Sequence, residues 1–124
     1  MDRRFSKDQN EILVRKAIAF KNYGIIGVDL SGPENKSFKI DDVIKMFKMA
    51  KTAGLGITVH TGETPPFEEI DEVIEKIKPM RIGHGVKSVE NKKTLDKLAK
   101  KNIVLEVCPG SNLATKVTKD WNEV

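Results

Sequence analysis

Residues 39–77 read KIDDVIKMFKMAKTAGLGITVHTGETPPFEEIDEVIEKI, and the spacing of apolar residues changes twice within them. Ile40, Val43, Ile44, Phe47 and Ala50 recur three and four apart, which predicts a helix from about Lys39 to Thr52. Gly54 stands where a left-handed helix cap is wanted, and Gly56 to His60 is a short apolar run that predicts a strand. After a loop from Thr61 to Pro66, the helical spacing returns with Ile70, Val73, Ile74 and Ile77. Pro66 suits the first turn of that helix, where its missing N–H is not needed, and Pro79 stops it.

The same alternation continues on both sides. Towards the start, Ile12, Val14, Ala17, Ile18 and Phe20 stripe a helix over about Asp8 to Lys21, Gly24 breaks it, and Ile25 to Leu30 is a strand. Ser31, Gly32 and Pro33 then form a loop. Towards the end, Arg81 to Gly83 is a short strand, Ser88 an N-cap, Leu95, Leu98 and Ala99 the face of a helix, and Ile103 to Val107 a fourth strand. The tail beyond Cys108 and Pro109 carries only a short helical turn. Strands separated by helices must pair in parallel, because each parallel neighbour needs a crossover. The expected fold is α/β, four consecutive α/β units with parallel strands, in one unit over residues 1–124.

Composition narrows the function. Hydrophobic residues are 39% and charged residues 32% of the 124, the balance of a soluble globular domain. No apolar run has the length of a membrane helix, and Met1 to Lys7 is charged where a signal peptide would be apolar, so the expected location is cytoplasmic, with no membrane partner. Cys108 is the only cysteine, which excludes an internal disulfide and a zinc site built from paired cysteines. The net charge of +4 comes from lysines interleaved with acids along the helices, and aromatics are only 6%, so no nucleic-acid partner is expected.

The residues able to do chemistry gather where the apolar runs stop: Asp29 and Gly32, His60 and Glu63, His84, then Glu106 and Cys108. In parallel β/α proteins the carboxyl ends of the strands form the active face. A neutral imidazole ending a strand can bind zinc, and a carboxylate three residues later, past a glycine, can face the same pocket and move a proton. The plain alternatives are a His60 that only caps its strand, a Glu63 that is a loop acid beside a helix start, a turn histidine at 84 and a loop glycine at 32. Cys108 reads as a buried filler and Arg81 as a structural ion-pair former.

Four stretches taken together resemble a family. Gly27-Val28-Asp29-Leu30-Ser31-Gly32-Pro33-Glu34, Thr58-Val59-His60-Thr61-Gly62-Glu63, Arg81-Ile82-Gly83-His84-Gly85 and Leu105-Glu106-Val107-Cys108-Pro109-Gly110-Ser111-Asn112 resemble, in order, four signatures of the adenosine deaminases, with Thr61 where the family has alanine. The resemblance implies about half of a zinc-dependent TIM (β/α)8 barrel that deaminates a purine nucleoside such as adenosine. It implies His60 as a metal ligand, Glu63 as the acid that protonates the purine ring, His84 as the residue orienting the zinc-bound water, and Gly32 as a backbone contact to the purine. Asp29, Glu34 and Glu106 are left as supporting residues. The family's His-x-His pair and its later metal-binding aspartate pair have no counterpart here, so the chain alone is expected to hold zinc poorly and turn over little substrate. Open sheet edges favour a homo-oligomer. The alternatives are an autonomous half-barrel scaffold without catalysis and an amidohydrolase acting on another amine or amide.

Overall fold

The computed structural model describes residues 1–34 and 38–121. Helix α1 (Lys7–Ala19) opens on a capping box in which the Ser6 hydroxyl accepts from the Gln9 N–H and the Gln9 side chain accepts from the Ser6 N–H. A single 3-10 turn and the left-handed Gly24 end it. Strand β1 (Gly27–Leu30) begins two residues later than expected, leaving Ile25 and Ile26 exposed. Gly27 pairs with Gly56, and a Cβ on Gly27 would sit 3.0 Å from the Gly56 carbonyl oxygen, so this first rung needs a bare backbone.

The helix expected from Lys39 is a 3-10 turn, Ile40–Val43, running into helix α2 (Ile44–Thr52). Gly54, at φ +77°, donates to the Lys51 carbonyl while Leu55 donates to that of Ala50, which together make a Schellman cap. Strand β2 (Gly56–Thr61) follows, then helix α3 (Phe67–Lys76), with Pro66 as its cap rather than inside its first turn. Strand β3 is Arg81–His84.

Ser88 does not cap the next helix. The left-handed Gly85 starts a 3-10 turn, Val86–Glu90, that buries Ser88, and Asn91 becomes the N-cap of α4 (Lys92–Lys100), accepting from the Lys93 N–H at 2.9 Å. Strand β4 is trimmed to Val104–Glu106, and the tail forms a short helix, α5 (Pro109–Ala114), with proline at its first position.

The four strands lie in the order β1-β2-β3-β4, every pair parallel, as the alternation requires. Between sheet and helices lies the core: Leu30, Val43, Met46, Phe47, Ile57, Val59, Ile70, Val73, Ile74 and Ile82 are all within 3% of complete burial. A further parallel bridge, Asp2 to Ser31, lays the start of the chain beside the end of β1. Among the described residues no helix is long and apolar enough to cross a membrane.

Candidate active site

Parallel pairing puts the carboxyl ends of β1, β2 and β3 on one rim, and a cleft of about 410 Å³ opens there between Gly32, Pro33, Glu34, His60, Glu63, Thr64, His84 and Thr115. The register His60↔Gly83 sets the imidazole over a glycine. A Cβ at Gly83 would lie 2.6 Å from the ring, so only glycine leaves room for it. The His60 Nε2 lies 3.2 Å from Asp29 Oδ2, and this hydrogen bond raises the imidazole's pKa against the opposing effect of burial; the charges of Asp29, Glu106 and Glu34 act in the same direction.

His84 holds φ +67°, a conformation uncommon for a side chain with a Cβ, and Gly85 follows at +68°. Two backbone bonds pin this bend to the neighbouring loop, from Gly85 N–H to the Thr61 carbonyl and from Lys87 N–H to the Gly62 carbonyl. The bend brings the His84 ring within 5.1 Å of the His60 ring, edge to face, and its Nδ1 to 3.5 Å from Glu63 Oε1. That is too long for a good hydrogen bond, and Nδ1 is buried without one.

Glu63 is turned into the cleft by Gly62, whose φ is +74° and whose Cβ would collide with Ile70 at 2.4 Å. The Glu34 carboxylate fastens the same turn, accepting from the Glu63 and Thr64 N–H groups at 3.1 and 2.9 Å. Glu63 Oε1 accepts from Ser111 Oγ at 2.6 Å. Gly32 also lies at the rim, at φ +99°, with Asp2 Oδ1 2.7 Å from where a Cβ would be.

The four residues singled out by sequence, Gly32, His60, Glu63 and His84, therefore share one cleft. Asp29 contacts His60, Glu34 holds the Glu63 turn, and Glu106 pairs with Arg81. Cys108 is half-buried rather than a buried filler, because it caps α5, with Sγ 3.2 Å from the Glu106 carbonyl oxygen.

Two groups of residues had been given no role in the site. Arg3, 5% exposed, donates from Nη2 to the His60 carbonyl at 2.8 Å and to Glu69 Oε1 at 2.6 Å, while Thr61 Oγ1 donates to the same Glu69 oxygen. Ser111 and Asn112, in α5, close over Glu63. For the second group the signal was present, since Ser111 and Asn112 end the fourth family-like stretch and Pro109 marks a helix start. For Arg3 there was none.

The whole chain, residues 1–124, matches the family model described as adenosine deaminase. The chain belongs to the adenosine deaminase family. A curated adenine deaminase of Mesorhizobium japonicum is 42% identical over 93 residues, covering 75% of this chain and 28% of its own length. The N6-mAMP deaminase of Arabidopsis superposes with a TM-score of 0.86 at 31% identity, over 98% of this chain and 35% of that one. A zinc-bound amidohydrolase of Burkholderia ambifaria superposes at 0.82 and 23% identity, over 90% of this chain and 31% of that one, a likeness of fold. The chain thus spans about a third of the length of these relatives, and its four parallel units are part of a TIM barrel.

The zinc expected in this family meets an incomplete donor set. Among the described residues no group of three or more His, Cys, Asp or Glu side chains is placed to hold a metal ion. His60, with Asp29 beside it, can supply one corner of such a site.

Proposed function

We propose that this chain carries the proton-transfer side of a hydrolytic purine deaminase site, replacing the exocyclic amine of a 6-aminopurine with oxygen and releasing ammonia. The observation that carries this reading is the meeting of Glu63, His84 and His60 in one cleft, with Glu63 fixed through both its backbone and its carboxylate. In the proposed reaction Glu63 gives a proton to the ring nitrogen beside the amino-bearing carbon, so that water can add to that carbon. His84, with a buried nitrogen lacking a partner, orients the water, and the Gly32 backbone lies against the purine. His60 is the residue that would hold zinc, which lowers the pKa of water where a full ligand set is present.

Adenosine is the substrate implied by the family resemblance. The relatives' names point to adenine and to N6-methylated AMP, so the three define the panel to test. The test is turnover of adenosine, adenine and N6-methyl-AMP, read as release of ammonia or, from the last, of methylamine, by a barrel in which residues 1–124 replace the matching segment of the Arabidopsis enzyme. Turnover of one of them, reduced about 100-fold or more by Glu63→Gln, is expected for loss of a positioned acid. A barrel whose turnover survived Glu63→Gln would overturn the reading. The chain by itself is expected to turn over little.

A further inference from the structure

The two oxygens of Glu63 are not equivalent. Ser111 Oγ lies 2.6 Å from Oε1 and Thr115 Oγ1 lies 3.4 Å from it. Asn112 is fully buried, and its amide is satisfied in the orientation that puts its nitrogen 3.3 Å from Oε1 and 3.3 Å from the Cys108 carbonyl oxygen. His84 Nδ1 approaches the same oxygen at 3.5 Å. All these groups meet Oε1. Among the described residues none donates to Oε2, the second oxygen of a side chain that lines the cleft.

We infer that Ser111 and Asn112 are positioning residues that anchor Glu63 by Oε1 and leave Oε2 as the oxygen that carries the reacting proton. The inference rests on the reading of Glu63 as the acid. Hydrogen-bond donors stabilise the oxygen that holds negative charge and no proton, so a proton added to the carboxylate goes to the other oxygen. As the reaction proceeds, the Oε2–H bond breaks, its electron pair stays on the carboxylate, and an N–H bond forms on the ring nitrogen. Hydrolysis strips two protons from the water: one returns to Oε2 and the other leaves with ammonia. The same donors receive the carboxylate when it becomes charged, so their benefit falls on the chemical step rather than on substrate binding.

The test has two arms. In the 124-residue chain, the 13C resonance of the Glu63 carboxyl carbon is followed at fixed pH. Ser111→Ala is expected to move it and Ser111→Thr to restore it, with the backbone amide spectrum reporting that the fold is kept. If Ser111→Ala unfolds the chain, Ser111→Val compared with the isosteric Ser111→Thr reads the same hydroxyl. In the completed barrel, Ser111→Ala is expected to lower kcat about 10- to 100-fold, the value of one hydrogen bond to a charged group, with KM unchanged and Ser111→Thr rescuing. An unmoved resonance, or an unchanged kcat in a barrel that Glu63→Gln inactivates, overturns the positioning role alone. Turnover that survives Glu63→Gln sinks the deaminase reading itself.

Discussion

At the scale of single residues the site depends on glycines as much as on acids and imidazoles. Gly62 permits the turn that aims Glu63, and Gly83 makes the space that His60 fills. A methyl group at position 83 would meet the near end of the imidazole, at Cγ and Nδ1, where rotation about the outer bond gives no escape. Gly83→Ala is therefore expected to displace His60 and to destabilise the chain by about 1–3 kcal/mol, the usual range for overpacking. A urea titration measures the loss, and an unchanged midpoint would refute the contact. The Arg3 guanidinium gives β2 a second anchor, since it binds the carbonyl of His60 itself and pairs with Glu69 while lying at 5.0 Å over the Phe38 ring.

At the scale of elements the sequence spoke through periodicity, and it spoke well where the period was long. Helix α3 follows the spacing of Ile70, Val73 and Ile74, all completely buried. It spoke poorly at the ends, where capping competes with local turns. Ser88 has the right chemistry for an N-cap, but the 3-10 turn after Gly85 buries it, with its hydroxyl unpartnered, and passes the role to Asn91. Asn91→Ala is accordingly expected to cost about 1 kcal/mol, as a lost cap does, whereas Ser88→Ala should be close to neutral because its hydroxyl makes no bond to lose. Thermal unfolding of the two variants separates them, and a larger loss from Ser88→Ala would place the cap where the sequence alone put it.

At the scale of the whole molecule the sheet has two flanks with apolar side chains in solvent. Beside β1 these are Phe20, Tyr23, Ile25 and Ile26, with Ile26 86% exposed; beside β4 they are Val89, Val104 and Val107. Burying such surface stabilises an assembly by about 25 cal/mol for each Å² removed from water. The 124-residue chain is thus expected to self-associate, and light scattering should give a mass above its 13.9 kDa. Ile26→Asp should weaken the association, and a monomer at all concentrations would count against it.

By itself the sequence determined the alternation of strand and helix, hence the parallel order, and it marked the rim by placing His60, Glu63, His84 and Gly32 where apolar runs end. These are local patterns, set by spacing within one segment. Only the tertiary structure decided which side chains meet: Ser111 with Glu63 across 48 residues, Arg3 with His60 across 57, Asp2 with Ser31 beside β1. Such pairs depend on strand register, on the turn taken at a left-handed residue and on the tilt of a short helix, and no spacing along the chain encodes those.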